Sequence, residues 1–310
     1  MRAPQVVPAP GLPERVTVYE VSPRDGLQNE PATVPTEVKA ELIGRLADAG
    51  LGVIEATSFV RPDRVPQLAD AEALMSALER RPGVRYPVLV PNLRGLERAM
   101  DLGLDEVAVF ASATESFAKA NLGRGVDEAL AMFAPVVERA RAAGLAVRAY
   151  VSMCFGDPWE GDVPIEAVVR VARALLDQGA TELSLGDTIG VGTPGHVTAL
   201  LGALGAAGIG PGALAVHFHD TYGQALANTV AALQAGVTVV DAAAGGIGGC
   251  PFARSATGNL ATEDLVWALH GLGVATGVDL AALVATSTWM AERLGRPSPS
   301  RVVRALSAEI

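Results

Sequence analysis

The sequence alternates short runs of β-branched residues with stretches rich in alanine and leucine, and the pattern repeats along most of the chain. Strict alternation of strands and helices requires parallel strands that are joined by helical crossovers. Eight such units in 310 residues predict a closed (β/α)8 TIM barrel. The predicted strands are Val16–Val21, Gly52–Thr57, Arg85–Val90, Glu106–Ala111, Ala146–Met153, Glu182–Gly186, Leu214–Phe218 and Val237–Ala242.

The stretches between these strands predict helices, several of which end in a glycine as helix C-termini prefer. An open, doubly wound sheet is the alternative, but it favours a glycine fingerprint after the first strand, where this chain has SPRDGLQ. The predicted helices are Pro35–Ala49, Val65–Arg80, Leu93–Asp101, Asp127–Ala143, Ile165–Gln178, Gly195–Ala207 and Gln224–Gln234, followed after the eighth strand by Thr262–Gly273 and Leu280–Leu294. We therefore expect residues 1–310 to form one domain, with an irregular tail at 1–15 and a helical cap over about 262–310.

Composition excludes several classes of protein. Half of the residues are hydrophobic and only 19% are charged, which excludes an intrinsically disordered chain. A net charge of −10 argues against a nucleic-acid or anionic-membrane binder, because either would need a basic surface. The two cysteines, Cys154 and Cys250, are far apart, so we expect no disulfide framework. The proline-rich start resembles neither a signal peptide nor a transit helix, and we expect a cytoplasmic protein.

Charged and metal-binding residue types gather where the predicted strands end, which is the active face of such a barrel. His217 and His219 are the sharpest pair, because residues i and i+2 of a strand point to the same side and both imidazoles can bind one ion. Two imidazoles alone would suit Zn or Fe, whereas an added carboxylate and amide oxygen would suit Mg or Mn. Asp25 after the first strand and Asn259 after the eighth could supply these oxygens, because those strands are neighbours in a closed barrel.

Three further acidic or basic residues have both a structural and a functional interpretation. Arg24 beside Asp25 is either an exposed ion pair or a cation that stabilises an oxyanion while Asp25 holds the metal. Glu55 and Asp187 lie on apolar strands, where a buried carboxylate must be paired or protonated. Each is therefore either a structural hydrogen-bond acceptor or a member of the site.

The loop GGIGGCP at residues 245–251 contains four glycines directly before Cys250. It could be a flexible turn, a phosphate cradle, or a mobile lid that carries a thiol as proton donor. No Walker lysine or Rossmann spacing accompanies the glycines. Cys154 ends an apolar strand and is interpreted as a core residue, and His196 and His270 lie in helical patterns that assign them no role.

Long motifs across the chain resemble the 3-hydroxy-3-methylglutaryl-CoA (HMG-CoA) lyase family. The similarity extends from about residue 16 to about residue 303 and is carried by VYEVSPRDGLQNE, IEATSFVRPDRVPQLAD, YPVLVPNLRG, SLGDTIGVGTPG, VHFHDTYGQALANT and GGIGGCPFARSATGNLATEDLVWALHGLG. The wider group consists of metal-dependent TIM-barrel enzymes that cleave or form carbon–carbon bonds. They share an R-D-G-x-Q turn and an H-x-H strand.

The resemblance implies metal-dependent cleavage of HMG-CoA to acetyl-CoA and acetoacetate, as in leucine degradation and ketone-body formation. It also implies a homodimer that binds a small acyl-CoA substrate, with neither nucleic acid nor membrane as partner. The residues it implies are the Mg or Mn ligands Asp25, His217, His219 and Asn259, the oxyanion-facing Arg24, the catalytic thiol of Cys250, the acidic site members Glu55 and Asp187, and the substrate-contacting Gln28. The general base stays open between Asp25 and a metal-site histidine.

Three other functions compete with this interpretation. The first is a lyase for another 3-hydroxyacyl-CoA, such as citramalyl-CoA or a longer-chain 3-hydroxyglutaryl-CoA. The second is a condensing enzyme of the isopropylmalate-synthase type, but those typically carry H-x-H-N-D where this chain has HFHDTYG. The third is a non-catalytic barrel that binds metal or CoA, which would be expected to have lost Arg24, Cys250 or a metal ligand.

Overall fold

The computed structural model describes residues 3–249 and 258–307. Its strands form one parallel sheet in the order β2-β1-β9-β8-β7-β6-β5-β4-β3, which follows the chain around a ring. The strands are β1 Thr17–Glu20, β2 Val53–Ile54, β3 Thr57–Ser58, β4 Val88–Leu89, β5 Glu106–Ser112, β6 Ala146–Ser152, β7 Glu182–Asp187, β8 Leu214–Phe218 and β9 Val239–Ala242. The predicted TIM barrel is confirmed.

The predicted second strand is interrupted, and the interruption is where the ring closes. Its first part, β2, pairs with β1, and its second part, β3, pairs with β4. Glu55 lies between them and its amide donates to the carbonyl of Glu20 at 2.8 Å, while the amide of Ala56 donates to that of Pro87 at 2.9 Å. The segment thus changes partner strand at Glu55, which places this side chain at the inner wall of the barrel.

Helices surround the barrel as the crossovers require. They are α1 Thr36–Asp48, α2 Ala71–Ala77, α3 Leu93–Asp101, α4 Glu115–Leu122, α5 Val126–Ala142, α6 Ile165–Asp177, α7 Pro194–Ala206, α8 Ala225–Gln234, α9 Thr262–Gly271, α10 Leu280–Leu294 and α11 Arg301–Ser307. Shorter helical turns occur at Ser22–Gly26, Pro66–Leu68, Pro211–Ala213 and Ala244–Gly246. None of the helices in the described part of the chain combines the length and the apolar character that crossing a membrane requires.

One predicted helix was too long, and two observed helices were not predicted. The prediction of a continuous helix over Val65–Arg80 was wrong, because the structure has a short turn followed by α2. The buried ammonium of Lys39 donates to the carbonyl oxygen of Gln67 and to the carboxylate of Asp70. The Gln67 carbonyl is therefore bonded to a side chain at the point where a continuous helix would need it for its own backbone. Helices α4 and α11 were not predicted.

The described N-terminal segment packs against the region of the last helices. The amide of Val7 donates to the carbonyl of Gly271 at 2.8 Å, and that of Val16 to the carbonyl of Ala275 at 3.0 Å.

The end of α1 contacts the segment before α10, where the amide of Asp279 donates to the carbonyl of Ala49 at 2.8 Å. Gly50 permits this approach because a Cβ there would lie 2.3 Å from the carbonyl oxygen of Gly277.

We expect Gly50→Ala to destabilise the protein more than Gly83→Ala. Both glycines have left-handed backbones, with φ of +93° and +80°, so alanine should cost about 1–2 kcal/mol at each position. Only Gly50 faces a backbone atom, and this overlap should cost about 1–3 kcal/mol more. The free energy of unfolding from urea titrations measures the difference, and equal losses would mean that the contact between α1 and the helical cap is dispensable.

Candidate active site

The turn after β1 presents Arg24 and Asp25 together. The carbonyl of Val21 accepts hydrogen bonds from the amides of Arg24 at 3.2 Å, Asp25 at 2.8 Å and Gly26 at 3.1 Å. One carbonyl thereby winds the chain into a single tight helical turn as soon as the strand ends. The two side chains remain in contact, and Arg24 Nη1 lies 2.7 Å from Asp25 Oδ1.

Asp25, His217 and His219 converge from opposite ends of the sequence. Each offers a ligand atom, and these atoms lie within 4.8 Å of one another. The two histidines belong to the end of β8, and their ring centroids are 5.2 Å apart. The predicted placement of both imidazoles on one side of the strand is thus confirmed, and they share that side with the carboxylate.

Asn259 completes this group because its segment runs beside the end of β8. It forms an antiparallel bridge with His219, and the amide of Leu260 donates to the carbonyl of Phe218 at 3.0 Å. Its Nδ2 donates to Asp25 Oδ2 at 2.9 Å and to the carbonyl of Ile247 at 3.1 Å. The amide plane is thereby fixed, and Oδ1 has no hydrogen-bond partner among the residues that the structure describes.

The donor set fits a divalent cation. Asn259 Oδ1 and His219 Nδ1 are buried, and neither atom has a hydrogen-bond partner among the described residues. Burial raises the pKa of Asp25, but Arg24, His217, His219 and the bond from Asn259 outweigh it and lower the value to about 2. Burial and the neighbouring His217 lower the pKa of His219 to about 4 despite Asp25. At neutral pH the carboxylate is therefore charged and the His219 ring neutral, as metal ligands must be.

Arg24 is held from its other side by Glu55. Its Nε donates to Glu55 Oε2 at 2.6 Å, and the hydroxyl of Tyr150 donates to the same oxygen at 3.1 Å. The guanidinium carbon also lies 5.2 Å from the centroid of the Tyr150 ring. Burial raises the pKa of Glu55 although Arg24 opposes this shift. Sequence reasoning missed Tyr150, whose position on the predicted strand Ala146–Met153 was the available signal.

Asp241 was noted near the end of the eighth predicted strand but was given no role, and Arg148 was missed. Asp241 Oδ2 lies 3.2 Å from His217 Nδ1, and the same carboxylate is paired with the guanidinium of Arg148. Arg148 is one of the largest fully buried side chains of the protein. A charged residue in the middle of the predicted strand Ala146–Met153 was the signal that could have identified it.

Asp187 and Gln28 lie outside the cluster of direct contacts just described. Asp187 Oδ1 accepts from the amide of Val191 at 3.0 Å, and its Oδ2 accepts from that of Gly192 at 2.9 Å. Burial raises the pKa of Asp187 to about 6, although these backbone bonds oppose the shift. Its carboxylate therefore holds the loop after β7, while its carbonyl accepts from the amide of His219 at 3.3 Å. Gln28 is half-buried directly after the Arg24–Asp25 turn.

The described part of the glycine loop packs against Asn259 and against the turn that carries Asp25. Gly248 has φ of +107°, and a Cβ on it would lie 2.6 Å from Asn259 Nδ2 and 3.2 Å from the Cα of Gly26. Asn29 Nδ2 donates to the carbonyl of Gly249 at 2.7 Å, which anchors the loop to the segment after β1. Cys250, the predicted catalytic thiol, lies outside the described residues.

Cys154 is the core residue that its sequence context predicts. It is fully buried, and its thiol donates to the carbonyl of Val151 at 3.0 Å. Burial raises the pKa of this thiol. Because the thiolate is the reactive form of cysteine, Cys154 is inert at neutral pH.

We expect Gly248→Ala to weaken Mn²⁺ binding by about tenfold or more, because the added methyl displaces Asn259 from Asp25. The matched control is Gly208→Ala, since Gly208 also has a positive φ, of +81°, but nothing lies within 4 Å of its Cβ. Calorimetric titration of both variants with Mn²⁺ measures the difference. Equal affinities would show that the position of Asn259 does not matter for the cation.

Comparisons with known proteins identify the family of this chain. A family model described as HMGL-like matches residues 15–290. The chain is 51% identical to the mitochondrial hydroxymethylglutaryl-CoA lyase of Gallus gallus, over 95% of this chain and 98% of that protein. Other animal relatives near this identity are named as mitochondrial or as cytoplasmic enzymes.

Solved structures of similar proteins share the fold. The hydroxymethylglutaryl-CoA lyase of Pseudomonas aeruginosa has a TM-score of 0.94 and 46% identity, covering 97% of this chain and 100% of that one. An HMG-CoA lyase of Acinetobacter baumannii in complex with coenzyme A and 3-methylmalate has a TM-score of 0.90 and 36% identity, covering 96% of this chain and 97% of that one. This chain therefore belongs to the HMGL-like family.

Proposed function

We propose that this protein is a metal-dependent lyase that cleaves HMG-CoA to acetyl-CoA and acetoacetate. The observation that carries the proposal is the convergence of Asp25, His217 and His219 on one point, next to a buried arginine. Relatives with about half of their residues identical are named as HMG-CoA lyases, which supplies the substrate. The pathway we propose is leucine degradation or ketone-body formation.

The resident cation in this proposal is Mg or Mn, held by Asp25, His217, His219 and Asn259. Two imidazoles alone would suit Zn or Fe, but the added carboxylate and amide oxygens suit the harder ions Mg and Mn. When bound, such an ion lowers the pKa of the tertiary hydroxyl of the substrate and makes its deprotonation accessible at neutral pH. Either Asp25 or a histidine of the site takes that proton.

Arg24 acts on the enolate that forms when the carbon–carbon bond breaks. As the hydroxyl loses its proton, a carbonyl forms at that carbon, the carbon–carbon bond breaks, and its electron pair becomes the enolate of acetyl-CoA. Arg24 donates to the enolate oxygen, and removing one such contact typically costs about 10²–10³ in rate. Cys250, or a water that it positions, protonates the enolate carbon and completes the balance.

The remaining predicted residues support these steps in our proposal. Glu55 orients Arg24 through the 2.6 Å bond to Nε, with Tyr150 as its second partner. Asp187 shapes the loop beside His219, and Gln28 contacts the substrate. Residues 1–310 act as one catalytic domain that works as a cytoplasmic homodimer.

The test of the proposed function is a product assay for acetoacetate. Purified protein treated with EDTA should not cleave HMG-CoA, and adding Mg²⁺ or Mn²⁺ should restore cleavage, because the site residues lack another Lewis acid. Citramalyl-CoA and a longer-chain 3-hydroxyglutaryl-CoA belong in the same panel, since the same residues could act on either. Turnover that survives complete metal removal, or preference for another thioester, would contradict the proposal.

We expect Arg24→Gln to lower kcat by about 10²–10³, because the enolate loses its cationic donor. The melting temperature should fall as well, because the buried carboxylate of Glu55 loses its ion-pair partner. Arg61→Gln is the matched control, since Arg61 forms an ion pair with Asp63 in which both side chains are exposed. The measurement combines steady-state kinetics with thermal unfolding. A folded Arg24→Gln variant that keeps kcat near the wild-type value would remove Arg24 from the reaction.

A further inference from the structure

A line of buried polar groups leads from His217 into the interior of the barrel. His217 Nδ1 lies 3.2 Å from Asp241 Oδ2, and the hydroxyl of Ser184 donates to that same oxygen at 2.8 Å. The other carboxylate oxygen, Oδ1, accepts from Arg148 Nη2. These side chains come from strands β6, β7, β8 and β9, so four neighbouring strands contribute one residue each.

Arg148 is buried and is held by two carboxylates and an aromatic ring. Its side chain is 1% exposed and that of Asp241 is 0% exposed. A second carboxylate, that of Glu182, accepts from Nη1, and the guanidinium carbon lies 3.8 Å from the centroid of the Tyr19 ring. A guanidinium can only donate hydrogen bonds. The group facing it at Asp241 must therefore be an acceptor.

We propose that Asp241 and Arg148 are positioning residues that lock His217 in the tautomer with its proton on Nδ1. An ionised carboxylate can only accept, so the 3.2 Å contact with Asp241 requires an N–H at Nδ1. The lone pair then resides on Nε2, the nitrogen left to the group formed with Asp25 and His219. Metal-bound histidines generally depend on such an outer partner for tautomer and ring orientation. The inference rests on the proposed function only through the divalent cation.

Arg148 makes the effect of one substitution predictable. In Asp241→Asn the amide oxygen must face Arg148, because two donors cannot share a hydrogen bond. The amide NH2 then faces Ser184 and His217, and it donates to His217 Nδ1. The ring must move its proton to Nε2, which blocks the nitrogen that would bind the cation. The substitution preserves the shape of the side chain at position 241 but moves the ring proton of His217 from Nδ1 to Nε2.

The first measurement is the tautomer itself, in metal-free protein with ¹⁵N-labelled histidine. The chain has only four histidines, so the signals can be assigned by substitution. The spectra are recorded at about pH 9, well above the ordinary histidine pKa. We expect His217 to give the signal of an Nδ1–H ring in the wild-type protein and that of an Nε2–H ring in Asp241→Asn. An Nε2–H ring in the wild-type protein overturns the proposal, even if the variant fails to fold.

The second measurement is Mn²⁺ affinity by calorimetry, which does not depend on any substrate. Asp241→Asn should lose about 10–100-fold in affinity. The matched control is Ser184→Ala, which removes a hydrogen bond to the same oxygen of Asp241. Asp241 keeps its carboxylate and still accepts from His217, so the His217 tautomer and the Mn²⁺ affinity should stay near the wild-type values. Unchanged Mn²⁺ affinity in Asp241→Asn overturns the proposal.

A double variant separates the part played by Arg148. In Arg148→Met/Asp241→Asn the amide is no longer held by the guanidinium and can turn its oxygen towards His217. We expect the Nδ1–H signal to return and Mn²⁺ affinity to recover from the level of Asp241→Asn. A folded double variant that keeps the Nε2–H signal removes Arg148 from the proposal. Because none of these readouts uses HMG-CoA, a failed acetoacetate assay would overturn the proposed function and leave this inference standing.

Discussion

The hydrogen bond between Asn259 and Asp25 joins residues that are 234 positions apart, and the rest of the candidate site depends on it. Asp25 follows the first strand and Asn259 follows the last, so the bond exists only because the barrel closes. Closure also brings the end of β8 to the same place, where His217 and His219 face the carboxylate. An open sheet with the same strands in chain order would keep Asn259 beside the two histidines but would leave Asp25 at the opposite edge.

Buried carboxylates hold the loops that carry these residues. Glu20 is fully buried, and its Oε1 accepts from the amides of Ser22 at 2.8 Å and Ala244 at 2.9 Å, while its Oε2 accepts from the hydroxyl of Thr262 at 2.6 Å. One side chain thus ties the Arg24–Asp25 turn to the start of the glycine loop and to α9. Burial raises the pKa of Glu20 although all three bonds oppose it. Hydrogen bonds to both carboxylate oxygens of Glu20 offset the free-energy cost of removing this group from water, which an unpaired carboxylate would bear in full.

Sequence patterns were sufficient for the barrel and for much of the ligand group, for identifiable physical reasons. A period of two places His217 and His219 on one side of a strand, and parallel topology gathers the strand ends on one face. Asn259 could be inferred only through the neighbourhood of the first and last strands. The short helix α4 was missed because it lies in the connection between β5 and α5, where only the helix Asp127–Ala143 was predicted.

The residues that sequence reasoning missed are those whose role depends on a partner that is distant in sequence. Arg148 and Asp241 are 93 positions apart, and each by itself looks like a single charged residue on an apolar strand. Tyr150 meets Glu55 across 95 positions. No local pattern encodes such pairs, because a closed barrel brings together side chains from strands that are not consecutive. The break in the second strand at Glu55 was hidden for a related reason, since β-branched residues continue on both sides of it.

The charges around Arg24 explain how a paired arginine could still serve a reaction. Glu55 and Asp25 engage its Nε and Nη1, two of the three nitrogens of a group with five N–H donors. These contacts fix the plane of the guanidinium and leave further donors for a substrate oxygen. Asp25 is shared in turn with the histidines and Asn259, so a cation at the ligand group would draw negative charge away from Arg24. A negative oxygen that forms on the substrate would then meet a guanidinium that is already oriented and only partly neutralised.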